Sequence, residues 1–137
     1  MTPKKILVVD DSLVLLKVLD FKLKSTGYAV LTAPDGGSAI SLARQEKPDL
    51  LLLDISFPPD IGMRWDGFSI MAWMKRMEET ATTRIIVITS SDPAKVKDKA
   101  MAAGAAAFFQ KPINHDELLA TIRALLGEPP PEAPRAT

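Results

Sequence analysis

The sequence contains no cysteine and a single histidine, His115, in 137 residues. The absence of cysteine excludes disulfides, thiolate zinc sites, iron–sulfur clusters and cysteine nucleophiles. It also fits a cytoplasmic protein, which is the localisation that we expect. His115 is predicted to lie in the exposed first turn of a helix without a partner, so neither a metal-binding nor a phosphate-carrying role is expected for it.

Long hydrophobic runs and an excess of charge of one sign are also absent. Lysine and arginine together number 17, as do aspartate and glutamate, so the formal net charge is zero. No global electrostatic field attracts nucleic acid or an anionic membrane, and neither is expected as a partner. No apolar run is long enough to span a bilayer, and the N-terminus lacks the features of a signal peptide.

Short apolar runs recur along the chain and predict buried strands. Residues 6–9, 50–53 and 85–88 are apolar without alternation, which is typical of strands covered on both faces of a parallel sheet. Residues 29–33 and 107–109 are weaker strand candidates. The second of these segments is short and rich in alanine.

Helical patterns separate these runs. In the first, Leu13, Leu16, Leu19 and Leu23 recur at steps of three and four residues, and Gly27 is a plausible stop. Four further helices are predicted from caps, stops and apolar spacing. The second runs from Asp35 to about Glu46, and the third has Phe68, Met71, Met74 and Met77 on its core-facing side. The fourth runs from Asp92-Pro93 to Gly104, and the fifth from Asn114, with Glu117 as its capping-box partner, to about Leu126.

The element order is therefore βα repeated five times. This order predicts an α/β fold with a five-stranded parallel sheet, helices on both faces and right-handed crossovers. The composition, 47% apolar and 25% charged, fits one globular domain, which we expect over residues 1–126. Residues 127–137 are rich in proline and are expected to form a disordered tail.

Polar side chains stand at the ends of four of the predicted strands. Asp10 and Asp11 follow the first strand, Asp54 follows the third, Thr89 ends the fourth and Lys111 follows the fifth. Ligands of such sheets bind outside the carboxyl ends of the strands, so these side chains are expected to meet. Clustered carboxylates repel one another unless a hard cation such as Mg²⁺ joins them, and a carboxylate can attack phosphorus. The lysine and the threonine hydroxyl would stabilise the charge of a transferring phosphoryl group.

Taken together, these motifs resemble the receiver domains of bacterial two-component response regulators. The resemblance covers residues 4–126 and rests on Asp10-Asp11, Asp54 in Leu-Leu-Leu-Asp, Thr89 in Ile-Val-Ile-Thr-Ser, and Lys111-Pro112. Each motif alone is common, whereas their combination in this order at strand ends is specific. The resemblance implies a flavodoxin-like strand order, 2-1-3-4-5.

The resemblance also implies roles for individual residues. Asp54 would accept the phosphoryl group, and Mg²⁺ or Mn²⁺ would be held by Asp10, Asp11, Asp54 and the backbone carbonyl of Ser56. Lys111 would pair with the phosphoryl group, and its bond to Pro112 would be cis. Thr89 would turn inward on phosphorylation, and the switch aromatic Phe108 would move into the space behind it.

Two features depart from the family pattern. The segment 55–66 is longer than the usual loop and contains Phe57, Arg64 and Trp65, so roles as a lid, a partner contact or a phosphate clamp all stay open. Ser56 and Ser91 occupy positions that often tune phosphoryl lifetime in receivers, and they leave that lifetime open.

The function predicted is that of a phosphorylation-dependent signalling receiver, not an enzyme beyond its own phosphoryl transfer and autodephosphorylation. The expected donor is a sensor histidine kinase or phosphotransfer protein. Output is expected through contact of the fourth helix, fifth strand and fifth helix with a protein target, and phosphorylation-dependent dimerisation stays open.

Three alternatives remain. The chain could be the receiver of a larger hybrid kinase or regulator. A Mg²⁺-dependent phosphohydrolase with an aspartyl nucleophile would usually carry a second acid two residues later, where Ser56 stands. A plain binding domain is disfavoured by the complete acidic set.

Overall fold

The computed structural model describes residues 3–55, 67–90 and 92–127. The strands and helices alternate along the whole of this part of the chain. Their bounds are β1 Lys5–Val9, α1 Leu13–Ser25, β2 Ala29–Ala33, α2 Gly36–Glu46, β3 Leu50–Asp54, α3 Gly67–Arg76, β4 Arg84–Thr89, α4 Pro93–Ala102, β5 Ala107–Gln110 and α5 His115–Leu125.

The strands form one parallel sheet in the order β2-β1-β3-β4-β5, which confirms the predicted fold and strand order. The register pairs Val9 with Ala33 on one side and with Leu53 on the other, so β1, β2 and β3 end at nearly the same level. The chain extends the sheet in opposite directions from β1, and this reversal opens a crevice beyond the carboxyl ends of β1 and β3. Asp10 and Asp11 follow β1, and Asp54 is the last residue of β3.

Two apolar cores lie on opposite faces of the sheet because successive strand side chains alternate between faces. Leu51 and Leu53 join one core together with buried residues of α2, α3 and α4. Leu50 and Leu52 join the other core together with buried residues of α1 and α5. Every residue of β3 is buried, as expected for a central parallel strand.

Helices α2, α4 and α5 begin at the predicted caps, and the predicted glycines follow α1 and α4. The side chain of Asp35 accepts a hydrogen bond from Ser38 N at 2.8 Å, and the equivalent Asp92 and Asn114 bonds to α4 and α5 are 3.0 Å long. Gly27 and Gly104, which follow α1 and α4, have φ angles of 100° and 110°. This left-handed backbone favours glycine and ends a helix.

The leucine spacing predicted the first helix, which the structure confirms as α1, but the four leucines are not equally covered. Leu16, Leu19 and Leu23 are buried, but Leu13 is 64% exposed. Leu13, in the first turn of the helix, lies outside the stripe formed by the three buried leucines. Three further large apolar side chains of α1 are also exposed: Val14, Val18 and Phe21.

Several residues singled out in the sequence lie outside the described residues. They are Ser56, Phe57, Arg64, Trp65, Ser91 and the segment 128–137. Among the helices of the described residues, none is long and apolar enough to cross a bilayer.

We expect Met74→Ala to destabilise the fold strongly. The Met74 side chain is 1% exposed and belongs to the core formed by α2, α3 and α4. Its truncation leaves a cavity and should lower the free energy of unfolding by about 2–5 kcal/mol, measured by urea denaturation with circular dichroism. The matched control is Met101→Ala on α4, where the side chain is 42% exposed and the change should stay below about 0.5 kcal/mol. Equal losses in the two variants would contradict this assignment of the core.

Candidate functional site

The end of β1 places the first acidic side chain. The backbone N–H of Asp10 donates to the carbonyl of Ala33 at 3.2 Å, which holds the chain against β2 beyond the last strand residue. The side chain of Asp10 accepts a hydrogen bond from the backbone N–H of Ser12 at 2.9 Å. Ser12 in turn caps α1 by accepting from Leu15 N at 3.2 Å. Asp10 is thereby tied both to the sheet and to the start of the first helix.

The ends of β3 and β5, which lie on either side of β4, place Asp54 and Lys111. Asp54 is the last residue of β3 and is only 2% exposed. Lys111 follows β5, and its backbone N–H donates to the carbonyl of Thr89 at 2.8 Å. The peptide bond between Lys111 and Pro112 is cis, as the resemblance implied.

The Lys111 ammonium group joins the two buried carboxylates. Its Nζ lies 2.8 Å from Asp10 Oδ2 and 3.2 Å from Asp54 Oδ2. The lysine side chain is 23% exposed, whereas Asp10 has no exposed surface. Lys111 leaves the edge strand β5 and reaches across the end of β4 to make these contacts. Breaking such a partly buried pair would leave a carboxylate without its counter-charge.

The electrostatics of the pair follow from this geometry. Burial raises the pKa of Asp10 above its ordinary value, and the hydrogen bonds from Lys111 and Ser12 offset only part of that effect. Burial alone would lower the pKa of Lys111, but the hydrogen bond to Asp10 and the charge of Asp54 together raise it. The lysine therefore stays protonated at neutral pH, where its charge offsets part of the cost of burying the Asp10 carboxylate.

Three carboxylates converge at this edge. Single oxygens of Asp10, Asp11 and Asp54 all lie within 4.8 Å of one another. Asp10 and Asp54 are buried, while Asp11 is exposed and lies on the solvent side of the group. A few carboxylate oxygens with one open side suit Mg²⁺, which keeps several waters and binds phosphate oxygens. The donor set therefore fits a divalent cation.

Thr89 and Phe108 lie behind the acidic group. Thr89 is the last residue of β4 and is fully buried. Phe108 pairs with Val87, which places its half-buried ring on the face of the sheet where Val87 also packs. Because side chains two apart on a strand share a face, Thr89 and Phe108 belong to the same side of the sheet.

The structure thus brings together Asp10, Asp11, Asp54 and Lys111, with Thr89 at the adjacent strand end. Sequence reasoning missed Ser12, although a serine two residues after Asp10 at the start of a helical pattern is a recognisable cap signal. It also missed the exposed face of α1, where Val14, Val18 and Phe21 follow one another at steps of four and three residues.

Comparison with known proteins agrees with this geometry. Residues 6–123 match the family model described as the response regulator receiver domain. The chain is 37% identical to protein PilH of Pseudomonas aeruginosa over 122 residues, covering 89% of this chain and 97% of that protein. It is 33% identical to the DNA-binding dual master transcriptional regulator RpaA of Synechocystis, covering 89% of this chain but only 48% of RpaA.

A solved structure shows the same fold. The receiver domain of the sensor histidine kinase PA1611 from Pseudomonas aeruginosa superposes with a TM-score of 0.80 at 26% identity, covering 93% of this chain and all of that one. That structure has a magnesium ion coordinated in its active site cleft. The family match, the identity to PilH and the shared fold lead to one conclusion: the chain belongs to the response regulator receiver domains and has their phosphoacceptor signalling function.

Proposed function

We propose that Asp54 is the residue that accepts the phosphoryl group. One observation carries the proposal: the buried carboxylate of Asp54 shares the Lys111 ammonium with Asp10, and one of its oxygens lies within 4.8 Å of oxygens of Asp10 and Asp11. A carboxylate in this setting has a cation beside it and an open, acidic side for a metal. Both are needed to bring a phosphoryl group, with its three charged oxygens, to an anionic nucleophile.

We assign metal binding to the carboxylates of Asp10, Asp11 and Asp54. The backbone carbonyl of Ser56, which lies outside the described residues, is proposed as a further ligand. Bound Mg²⁺ supplies positive charge to the carboxylates and to the phosphoryl oxygens. The magnesium ion of the PA1611 receiver supports the choice of metal.

In the proposed reaction an oxygen of Asp54 attacks the phosphorus atom of the donor. The bond between phosphorus and the donor atom breaks, and an acyl phosphate forms on Asp54. In the unphosphorylated protein the Lys111 ammonium lies 3.2 Å from Asp54 Oδ2, and in the proposed product it pairs with a phosphoryl oxygen. Asp10 keeps the lysine in position through its 2.8 Å contact.

We propose that Thr89 and Phe108 transmit the new charge to the surface. The hydroxyl of Thr89 would donate a hydrogen bond to a phosphoryl oxygen on Asp54, which ends the adjacent strand. Phe108 shares that face of the sheet and would fill the space that Thr89 leaves. A target that contacts α4, β5 and α5 would then distinguish the two forms.

The domain limits and the biological setting stay predictions. A receiver over residues 1–126 is supported by the family match to residues 6–123. The chain matches nearly all of PilH but about half of RpaA, so a single-domain regulator and a receiver within a larger protein are both compatible with its relatives.

The surface of α1 suggests where a protein donor binds. Val14 and Phe21 are 74% and 73% exposed, and with Val18 they form an apolar stripe that starts beside the acidic site. A donor that reaches the buried Asp54 must cover the adjoining surface. We therefore propose that the donor kinase or phosphotransfer protein packs on this stripe.

The test of the acceptor is incubation with acetyl phosphate and Mg²⁺, followed by intact-protein mass spectrometry. The wild type should gain one phosphoryl group and lose it on standing, whereas Asp54→Asn should gain none. The control Asp49→Asn alters a carboxylate at the other end of β3, where it accepts a hydrogen bond from Lys5 N, and should be labelled normally. Labelling of Asp54→Asn would place the acceptor elsewhere, and steady turnover of small phosphate esters would favour the phosphohydrolase.

Asp10→Asn should raise the Tm of the magnesium-free protein. The folded-state pKa of Asp10 is raised, so its contribution to stability is complete below the ordinary value of 3.8 and is lost as pH rises through the folded value. At pH 7 the neutral amide in Asp10→Asn avoids the free-energy cost of burying the Asp10 carboxylate. Each kcal/mol of stability gained raises the Tm by about 4 °C in a domain of this size.

Magnesium and pH provide the controls for this variant. Mg²⁺ should raise the Tm of the wild type through binding and that of Asp10→Asn much less. The difference between the two metal-free proteins should narrow as pH falls toward 3.8. A lower Tm for the variant at pH 7 would contradict the electrostatic assignment.

Phe21→Ser should reduce phosphotransfer from a sensor histidine kinase that phosphorylates the wild type. Loss of a central apolar contact at an interface costs at least about 1.4 kcal/mol, a tenfold fall in transfer rate at low receiver concentration. Labelling by acetyl phosphate should not change, because a small donor does not need the stripe. Met101→Ser, at an exposed apolar position on α4, is the matched control. An equal loss with both donors would show damage to the site instead.

A further inference from the structure

The first residue of α3 lies against the chain that leaves the acceptor strand. Gly67 is buried, and a methyl group added to it would come within 3.0 Å of Cα, Cβ and Cγ2 of Ile55. Real Cβ atoms do not tolerate such distances, and one of the three obstacles is a backbone atom. A side-chain rotation of Ile55 would therefore not relieve the collision.

Ile55 has little freedom to move away. Its backbone N–H donates to the carbonyl of Ile88 at 3.2 Å, which continues the pairing of β3 with β4 beyond Asp54. Its partly buried side chain packs against the core that contains Met71 and Met74. A larger residue at position 67 must therefore displace either the start of α3 or the end of β3.

The end of β3 carries the acidic residue of the site. Asp54 immediately precedes Ile55, and its Oδ2 lies 3.2 Å from Lys111 Nζ, near the upper limit of a hydrogen bond. A displacement of about 1 Å would break that bond and would change the spacing of the three carboxylates. Mg²⁺ demands near-ideal octahedral geometry, so its binding is sensitive to such a shift.

We propose that Gly67 is a positioning residue for the phosphoacceptor site. Its missing side chain lets α3 begin in contact with the backbone of Ile55, and this contact sets where the end of β3 presents Asp54 to Asp10 and Lys111. The inference rests on the proposed function, since it assigns Gly67 an effect on metal binding and phosphoryl uptake. A positioning role differs from a packing role in its consequence. If Gly67 only allowed close packing, its replacement would lower stability and leave the site intact.

Gly67→Ala and Gly27→Ala form a matched pair that separates the two roles. Gly27 has a φ of +100° with nothing within 4 Å of an added Cβ, so alanine there strains the backbone without a collision. Gly27 also follows the last turn of α1, at the opposite end of that helix from Asp10 and Asp11. Both variants should lose stability, but only Gly67→Ala should alter the site.

The measurements are the Mg²⁺ dissociation constant by calorimetry and the labelling rate with acetyl phosphate at saturating Mg²⁺. Both are made at a temperature where circular dichroism shows each variant folded. Gly67→Ala should bind Mg²⁺ at least tenfold more weakly and label at least tenfold more slowly than the wild type, while Gly27→Ala should match the wild type in both. A Gly67→Ala protein with wild-type affinity and labelling would overturn the proposal.

A second substitution keeps the test decisive if Gly67→Ala is poorly folded. Ile55→Ala removes Cγ2 and loosens the same contact from the other side, and should weaken Mg²⁺ binding in the same direction by a smaller factor. The double variant should keep the full defect, because Cα and Cβ of residue 55 still obstruct the methyl group. Unchanged Mg²⁺ affinity in Ile55→Ala would count against the proposal, as would restored affinity in the double variant. A wild type that neither binds Mg²⁺ nor labels would instead refute the proposed function.

Discussion

The site depends on holding several carboxylates of like charge at one edge of a sheet. Lys111 supplies the counter-charge within the chain, with Nζ at 2.8 Å from Asp10 and 3.2 Å from Asp54. One ammonium group does not neutralise three carboxylates. Burial raises the pKa of Asp10, and the nearby charge of Asp54 makes a smaller contribution in the same direction. This residual negative charge fits the binding of a divalent cation.

The sheet makes this arrangement rigid. Its central strands are buried on both faces between two apolar cores, so the ends of β1 and β3 cannot drift apart without disturbing both cores. The side chains of the candidate site lie on strand ends or one or two residues beyond them. Backbone hydrogen bonds continue the ladder there: Asp10 to Ala33, Ile55 to Ile88 and Lys111 to Thr89. The same packing therefore stabilises the fold and holds the side chains of the site in position.

The site is also coupled to the helices around it. Ser12 links the Asp10 carboxylate to the first turn of α1, and Gly67 brings the start of α3 against Ile55. Thr89 connects the end of β4 to the face of the sheet that carries Phe108. A change of charge at Asp54 can therefore affect α1, α3 and the β4–β5 side of the sheet through these contacts. A phosphorylation switch requires such a connection between its site and its surface.

Much of this could be predicted from the sequence because strand runs, cap residues and strand-end polar residues are local signals. The apolar run before Asp54 and the caps Asp35, Asp92 and Asn114 specified elements and their limits, and βα alternation placed the acidic residues at one edge. The strand order came from family resemblance, since apolar runs do not say which strands are neighbours. Only tertiary structure decided that Leu13 is exposed while Leu16 is buried, that Lys111 bridges two carboxylates, and that Gly67 meets Ile55. The physical reason is that periodicity identifies the residues that share a face, whereas the packing of distant segments decides which faces are covered and which atoms touch.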